Sequence, residues 1–357
     1  MQKNINNKKN INNINKINNI KITIVGAGMW GTTLAILLGN KGYNLKLWVR
    51  SKEVYDDISV NRINSKYTDN YTIPQNVIPF LGNNKRDIFK NSDIIIFAVP
   101  SHALREIINF FFDELNKNGK QIKAVVNAAK GLEIKTNKRL SEVLSETLPE
   151  NLKEKIAVLS GPNIAVEILK SLPSVSVIAS QDNKILDYLQ PVFSTEFFRI
   201  YINTDLIGVE IGAAVKNIIA IAAGISDGLG FGSNSKASLI ARGLYELSKV
   251  GVFFGANAKT LFGAAGLGDL ITTCISQNSR NRMVGERLAK GESINVIQKN
   301  MYMVAEGINT TKCVYNIAKK HNLDLPITDS IYNIIYEGLQ PFQSVKNLMS
   351  RKFKAEI

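Results

Sequence analysis

The sequence predicts an α/β protein in which an N-terminal, doubly wound parallel sheet is followed by an all-helical C-terminal domain. Three observations favour this fold class. Short β-branched segments alternate with helical stretches up to about residue 203, which is typical of a parallel sheet covered by helices. Only helical periodicity continues after residue 204, and a glycine-rich turn joins the first strand to the first helix. The 357 residues, of which 45% are hydrophobic, suffice for two such domains.

The first strand is predicted at Lys21–Val25, and the turn behind it has the spacing G-x-G-x-x-G. Gly26 permits a tight turn, Gly28 lets the backbone approach a pyrophosphate, and Gly31 lets helix and strand pack closely. The helix that follows, predicted at Thr32–Gly39, points its free N–H groups at the same place. Strand, turn and helix together predict a Rossmann-like dinucleotide site.

The second strand, predicted at Leu45–Val49, ends at Arg50. An acidic residue at this position favours NAD, whereas arginine accommodates the 2′-phosphate of NADP. Glu53 lies three residues further on and could restore NAD binding, and Arg50 could also be a solvated charge at the end of a strand. The predicted cofactor is therefore NADP or NAD, with NADPH favoured.

Further strands are predicted in five segments, and a helix at Ala103–Leu115 separates the first two of them. The strand segments are Ser92–Ser101, Ile122–Gly131, Lys155–Asn163, Ser174–Ser180 and Phe197–Tyr201. Ligands bind at the carboxyl ends of strands in such sheets. Lys130 and the turn Gly161–Asn163 fall at these ends, so they are candidate ligand contacts, although Lys130 could also be a surface charge.

The second half shows helical periodicity in five segments, with glycines between them. These segments are Ile207–Ile225, Lys236–Phe254, Ser279–Lys290, Gly307–His321 and Ile327–Gly338. We therefore expect a tail at residues 1–20, a dinucleotide-binding domain at 21–203 and a helical substrate domain at 204–350. A substrate cleft is expected between the two domains.

A single lysine, Lys216, interrupts the longest apolar run. Gly208, Gly212, Lys216, Ala220 and Gly224 are spaced four apart and share one ridge of a helix. Lys216 could extend to solvent from a core helix whose glycines allow close packing. Alternatively, its amine lies in a partly dry groove, where desolvation suits it to acid–base chemistry. Its place in the first long helix after the domain junction favours the second interpretation.

The segment "GAAGLGDLITTCISQNSRNR" contains a candidate anion site. Arg280 stands between Ser279 and Asn281, and a guanidinium beside a hydroxyl and an amide suits a phosphate group. Asp269 follows a glycine-rich turn, where it could be either a helix cap or a site residue.

Composition argues against several classes of protein. No apolar span of 18 residues is free of charge, so no membrane insertion is expected. Cys274 and Cys313 lie far apart, which fits a reducing compartment, and His102 and His321 form no ligand-spaced cluster, so no metal is expected. The net charge is +14, but a role in nucleic-acid binding would rest only on residues 1–20, a Lys-, Asn- and Ile-rich segment predicted to be disordered.

These stretches occur in the same order as the motifs of one known family, and they span about residues 21–338. The chain resembles bacterial-type NAD(P)-dependent glycerol-3-phosphate dehydrogenase. The matching stretches are "VGAGMWGTTLA", "FAVPSHALRE", "AAKGLE", "VLSGPN", "GVEIGAAVKNIIAIAAGISDGLGFGSNSKASLIARGL", "GLGDLITTC", "SRNR", "VAEGINTTK" and "LPITDSIYNIIYEG". The lysine helix and the "GDLITTC" stretch distinguish this family from other dinucleotide enzymes.

The resemblance implies reversible NAD(P)H-dependent reduction of dihydroxyacetone phosphate to sn-glycerol 3-phosphate, which feeds glycerophospholipid synthesis. Lys216 would be the proton donor or acceptor at the C2 oxygen. A cytoplasmic homodimer is implied, with no nucleic-acid partner. A 6-phosphogluconate-type or 3-hydroxyacid dehydrogenase explains the distinctive stretches less well. A redox-sensing protein that only binds the cofactor would not need Lys130, Lys216, Asp269 and Arg280 together.

The resemblance also assigns site residues. The implied catalytic residues are Lys216, Asp269, Lys130 and Thr273. The implied cofactor-binding residues are Gly26, Gly28, Met29, Trp30, Gly31, Arg50, Lys130, Ala165, Arg280, Val304 and Glu306. The implied substrate-binding residues are Lys130, Gly161, Asn163, Lys216, Asp269, Ser279, Arg280 and Asn281. Two positions depart from the family pattern: Met29 replaces a small residue, and the segment after Tyr67 lacks the usual Leu-Pro-Gly turn.

Overall fold

A computed structural model of the chain describes residues 20–82, 85–353 and 355–356. The predicted tail therefore lies outside the described residues, apart from Ile20. The described part of the chain folds into an eight-stranded sheet with its covering helices, followed by a helical region, and this confirms the predicted fold class.

The sheet has the strand order β3-β2-β1-β4-β5-β6-β7-β8. Its strands are β1 Lys21–Val25, β2 Asn44–Val49, β3 Val77–Leu81, β4 Ile94–Phe97, β5 Ala124–Asn127, β6 Ile156–Ser160, β7 Ser174–Ala179 and β8 Phe198–Asn203. Strands β1 to β6 are parallel in the doubly wound order, which reverses between β1 and β4. The carboxyl ends of these two strands therefore border the ligand crevice.

Two features of the sheet differ from the prediction. Strand β7 is antiparallel to β6, and β8 is parallel to β7, so the sheet is mixed. The chain turns back at the end of β6 through one short helix, Ala165–Leu169, and re-enters the sheet from the same end. The edge strand β3 was not predicted, since Pro79 within it weakens the sequence signal, and proline is tolerated at a sheet edge.

Helices cover both faces of the sheet. They are α1 Met29–Asn40, α2 Lys52–Asp56, α3 Ser65–Thr68, α4 Leu104–Phe110, α5 Phe112–Asn118, α6 Leu140–Thr147, α7 Glu150–Lys153, α8 Ala165–Leu169 and α9 Asn183–Phe193. Alternate residues of β4 enter two separate cores, with Ile94 and Ile96 in one and Ile95 and Phe97 in the other. The helix predicted at Ala103–Leu115 is divided at Phe111.

The helical region is built around one long helix. Its helices are α10 Leu206–Gly228, α11 Ser233–Phe253, α12 Ala258–Leu261, α13 Asp269–Ile275, α14 Arg280–Ala289, α15 Ile294–Lys299, α16 Glu306–His321, α17 Pro326–Tyr336 and α18 Pro341–Met349. All five predicted helices are present to within about one turn at each end. Helix α10 is long and apolar enough to cross a membrane, with a mean hydropathy of 1.8 in its most apolar window. However, 94% of that window is buried inside the protein. It is the core helix of this region.

Helices α10 and α14 cross at two glycines. A Cβ built on Gly224 of α10 would lie 1.9 Å from the carbonyl oxygen of Arg282, and one built on Gly285 of α14 would lie 2.0 Å from that of Ile221. Neither backbone leaves room for even one methyl group. The glycine ridge of α10 therefore permits close packing at this crossing, although Lys216 on the same ridge does not extend to solvent.

We expect Gly285→Ala to lower the free energy of unfolding by more than about 2 kcal/mol, because the two helices must separate to admit the methyl group. Gly232→Ala is the matched control, since no atom lies within 4 Å of a Cβ there. It should cost less than about 1 kcal/mol, the scale of a changed helix cap. Urea unfolding of both variants measures the difference, and equal midpoints would contradict the crossing geometry.

Candidate active site

The glycine turn after β1 leaves an open space at the start of α1. Gly26 has a φ of +115°, and a Cβ built on it would lie 2.6 Å from the carbonyl oxygen of Ala98. A Cβ built on Gly31 would lie 1.8 Å from the carbonyl oxygen of Gly26. Gly28 instead has no atom within 4 Å of its Cβ position and caps α1 without a side-chain hydrogen bond. The first-turn N–H groups of α1 are therefore available to a phosphate.

Met29 and Trp30 form the first turn of α1 at this open space. The indole Nε1 of Trp30 is buried and has no hydrogen-bond partner among the described residues. A buried donor without an acceptor is costly, so an acceptor on a bound group would complete it. The turn and the helix start thus fit a dinucleotide.

Arg50 follows β2 at the other end of this crevice. Its side chain is exposed and has no hydrogen-bonded or ion-paired partner among the described residues. Glu53, the acidic alternative, forms an ion pair with Lys66 at 3.1 Å. Of these two residues, Arg50 is therefore the one without a hydrogen-bonded or ion-paired partner among the described residues.

Two lysine side chains meet at the carboxylate of Asp269. The amine of Lys216 donates to Asp269 Oδ1 at 2.5 Å and to Thr273 Oγ1 at 2.7 Å. The amine of Lys130 donates to Asp269 Oδ2 at 2.8 Å and to the carbonyl oxygen of Gly161 at 3.0 Å. Lys216 and Asp269 are 4% and 1% exposed. Lys216 thus does not extend to solvent, and the Asp269 carboxylate binds two lysines and does not cap its helix.

The local fold explains how these groups meet. Asp269 and Thr273 are four apart on α13 and so share one face. The preceding π-helical turn, Ala264–Gly268, reaches α10 because Gly212 has no side chain: its Cβ would lie 2.9 Å from the oxygen of Ala265. Gly212 is one turn before Lys216, so the missing side chain brings the carboxylate to the amine.

Burial sets the charge state of the central amine. Desolvation lowers the pKa of Lys216 to about 7, although the negative charge of Asp269 raises it and the positive charge of Lys130 lowers it further. A lysine with a pKa near neutral pH can both hold and release a proton under ordinary conditions.

The segment after α13 supplies the candidate anion site. The Ser279 hydroxyl caps α14 by accepting from the backbone N–H of Arg282, and Arg280 Nη1 donates to the carbonyl oxygen of Val304 at 2.8 Å. Burial lowers the pKa of Arg280, with Glu306 opposing this. The guanidinium keeps its charge because arginine is effectively always protonated.

Asn281 is joined to a residue that the sequence analysis missed. Its Nδ2 donates to Asn217 Oδ1 at 2.9 Å, and its Oδ1 accepts from the Gly307 backbone N–H at 2.9 Å. Asn217 is buried and directly follows Lys216. A buried amide inside an apolar helix run was the signal that could have identified it.

The side-chain amide of Asn163 is bound to β7. Its Nδ2 donates to the Val175 carbonyl oxygen at 3.0 Å, and its Oδ1 accepts from Ser176 Oγ at 3.0 Å. Ala165 begins α8 two residues later. Glu306, at the start of α16, accepts hydrogen bonds from Ser101 across the crevice.

Metal chemistry has no evident basis in the side chains at hand. Among the described residues, no group of three or more His, Cys, Asp or Glu side chains could hold a metal ion. Cys274 and Cys313 are both buried and unbonded to each other. The charged side chains described at the site are Lys130, Lys216, Asp269, Arg280 and Glu306.

Comparison with known proteins identifies the family. The model described as "NAD-dependent glycerol-3-phosphate dehydrogenase N-terminus" matches residues 21–186, and the corresponding C-terminus model matches residues 205–346. The chain is 44% identical over 338 residues to a glycerol-3-phosphate dehydrogenase [NAD(P)+] from Thermoanaerobacter sp., covering 95% of this chain and 99% of the relative. The relative from Chlorobium limicola is 43% identical, covering 94% and 99%.

A solved structure agrees with this. The crystal structure of glycerol-3-phosphate dehydrogenase from Coxiella burnetii superposes with a TM-score of 0.85 at 35% identity, covering 93% of this chain and 99% of that one. The chain belongs to the NAD-dependent glycerol-3-phosphate dehydrogenase family, whose members use NAD or NADP.

The buried amine predicts a pH dependence of stability. The pKa of Lys216 is about 7 in the folded state and 10.5 as a free lysine, so between these values the unfolded state binds more protons. The free energy of unfolding of the wild type, relative to Lys216→Met, should therefore rise with pH by up to about 1.4 kcal/mol per unit. Urea unfolding at pH 7, 8 and 9 measures this, and a constant difference would contradict the lowered pKa.

Proposed function

We propose that this member of the family catalyses the reversible NAD(P)H-dependent reduction of dihydroxyacetone phosphate to sn-glycerol 3-phosphate. The observation that carries the proposal is the Lys216 amine, which is buried, has a pKa of about 7 and is held by Asp269 and Thr273. A ketone reduction needs a proton donor of this kind at its oxygen. The names of the relatives supply the substrate.

The cofactor would be held by the glycine turn and by residues on both sides of the crevice. These residues are Gly26, Gly28, Met29, Trp30, Gly31, Arg50, Lys130, Ala165, Arg280, Val304 and Glu306. When bound, the nicotinamide supplies the hydride exchanged with C2 of the substrate. The free Arg50 guanidinium, together with the engagement of Glu53 by Lys66, supports NADPH as the favoured form.

Proton transfer at the C2 oxygen is the task of Lys216. As an ammonium, its Nζ would donate a hydrogen bond to the ketone oxygen and then pass the proton to the alkoxide as it forms. Asp269 fixes the direction of the amine, and Thr273 accepts its second hydrogen bond. The reverse reaction uses the neutral amine, which burial and the nearby Lys130 stabilise.

The substrate phosphate would bind at the start of α14. Helix α14 has 10 residues and directs its N-terminal dipole and first N–H groups at an anion. Within the described part of the chain, Arg280 donates one hydrogen bond, to Val304, so further N–H groups remain for phosphate oxygens. Ser279 and Asn281 flank it, and the bond from Asn281 to Asn217 ties this site to the residue beside Lys216.

Lys130 would contact both cofactor and substrate from the end of β5. Its amine already reaches Asp269 and the Gly161 carbonyl oxygen, so it lies beside the reacting centre. A contact from Asn163 to the substrate would use the second Nδ2 hydrogen or the second Oδ1 lone pair, because β7 binds one of each.

The cellular role follows from the reaction. The product would feed glycerophospholipid synthesis in the cytoplasm. The active unit would be a homodimer, and the exposed apolar side chains Phe262, Ile271 and Ile275 offer candidate contact area.

We expect Lys216→Ala to lower kcat by 10²- to 10⁴-fold, the usual worth of a general acid or base. Its affinity for NADPH should stay close to that of the wild type. Oxidation of NADPH by dihydroxyacetone phosphate measures turnover, and quenching of NADPH fluorescence measures affinity. Lys299→Ala, an exposed lysine on α15, is the control. Near-normal turnover in Lys216→Ala would remove this amine from the mechanism.

We expect Arg50→Ala to raise the KM for NADPH by about tenfold or more, the worth of one charge-assisted contact to phosphate. The KM for NADH should change little, because NADH lacks the 2′-phosphate. Parallel assays with both cofactors measure the ratio. If both values rise equally, Arg50 does not read the ribose.

A further inference from the structure

One contact between the sheet and the helical region lies beside the crevice and is not used by the mechanism above. Ser101 follows β4 and opens a short 3₁₀ turn, Ser101–Ala103, whereas Glu306 begins α16, 205 residues later. The backbone N–H of Ser101 donates to Glu306 Oε1 at 3.0 Å, and its hydroxyl donates to Oε2 at 2.5 Å. Ser101 is 2% exposed. Each carboxylate oxygen thus has one donor from the same residue.

The position of this pair connects it to the cofactor crevice. The carboxyl ends of β1 and β4 border the crevice where the strand order reverses. Gly26 directly follows β1 and packs on Ala98, which is only three residues before Ser101. The two donors of Ser101 therefore hold the Glu306 carboxylate on the side of the sheet where the dinucleotide turn lies.

The lysine-bearing turn after β5 packs on the same pair. Gly131 follows Lys130, and a Cβ built on it would lie 3.1 Å from Ser101 Oγ and 3.2 Å from Glu306 Oε2. The positive charge of Arg280 also acts on Glu306. The pair thus lies between the ends of two strands, the start of α16 and the candidate phosphate ligand.

Glu306 has acceptor capacity left in this arrangement. A carboxylate offers about four lone-pair sites, and Ser101 uses two of them. Because Ser101 fixes both oxygens, the free sites have a set direction. They suit a hydrogen-bond donor of a dinucleotide, such as a carboxamide N–H.

We propose that Ser101 is a positioning residue that holds the Glu306 carboxylate in the crevice and thereby sets the affinity for the nicotinamide cofactor. This inference rests on the proposed function for the identity of the cofactor. Ser101 itself takes no part in proton transfer, so its effect is on binding and not on the chemical step.

Ser101→Ala removes the hydroxyl donor and keeps the backbone donor. A hydrogen bond to a charged group of this kind corresponds to a rise of about tenfold or more in the Kd for NADPH. The change in kcat at saturating NADPH should be much smaller. In a Glu306→Ala background, Ser101→Ala should change the Kd no further, because the carboxylate it positions is gone.

The matched control is Ser180→Ala. Ser180 is 1% exposed, and its hydroxyl donates to the Ile156 carbonyl oxygen at 2.9 Å, within the sheet. Like Ser101→Ala, Ser180→Ala removes one buried hydroxyl, but this hydroxyl does not contact Glu306. The Kd for NADPH should therefore equal that of the wild type. If Ser101→Ala fails to fold, Ser101→Cys decides, because a thiol is only a weak hydrogen-bond donor to Glu306 Oε2 and should also weaken NADPH binding.

Titration of each variant with NADPH, followed by quenching of its fluorescence and without substrate, is the test. A tenfold rise in the Kd that disappears in the Glu306→Ala background supports the proposal. An unchanged Kd, or an equal rise in both backgrounds, overturns it. A wild type that binds NADPH but does not reduce dihydroxyacetone phosphate overturns the proposed reaction and leaves this test intact, whereas a wild type that binds neither NADPH nor NADH overturns both.

Discussion

The site depends on one buried carboxylate shared by two lysines. Asp269 is 1% exposed, and its two oxygens bind Lys216 and Lys130. Burying a charge without a partner costs several kcal/mol, roughly 3–5 when one partner of a buried pair is removed. This arrangement is therefore stable only if α10, α13 and the turn after β5 all meet at one point. The close approach at Gly212 of the turn that precedes α13, Ala264–Gly268, serves this requirement directly.

The same arrangement sets the chemistry. With a single lysine, the carboxylate would favour the ammonium and oppose desolvation. Burial is the largest influence on the amine and lowers the pKa of Lys216 to about 7 against the opposing charge of Asp269. The second lysine, Lys130, binds the other carboxylate oxygen, and its like charge lowers the pKa further. A reversible oxidoreductase needs a group that gives up a proton in one direction and takes it back in the other. Lys216, bound with Lys130 to the single carboxylate of Asp269, is such a group.

Sequence patterns predicted those parts of the structure that depend on neighbours in the chain. The strand, turn and helix at Lys21–Asn40 and the helices of the second half follow from spacing and composition, and they match the structure closely. Strand direction does not follow from such patterns. Strand β7 has the same β-branched composition as its parallel neighbours, and only the short connection through α8 reverses it. The edge strand β3 was missed because Pro79 reads as a break.

The site residues divide along the same line. Residue type marked Lys216 and Arg280 as candidates, and the family resemblance supplied their roles. Their partners could not be found this way, because these contacts join residues far apart in sequence. Asn217 meets Asn281 across 64 residues, and Ser101 meets Glu306 across 205. Asn163 also has partners that the sequence could not indicate: the antiparallel return of β7 puts Val175 and Ser176 within reach of its amide, and its contact with substrate stays a prediction.

The glycines of α10 explain why the Lys216 amine and the candidate anion site keep a fixed separation. Gly224 and Gly285 bring the backbones of α10 and α14 into contact, so one helix cannot slide along the other without a clash. The start of α14, with Ser279 and Arg280, is thereby fixed relative to α10. The bond from Asn281 to Asn217 fixes it a second time, one residue from Lys216. In the proposed reaction, a three-carbon substrate held by its phosphate at the start of α14 would present its middle carbon to the Lys216 amine, and the close helix packing would contribute to substrate selection.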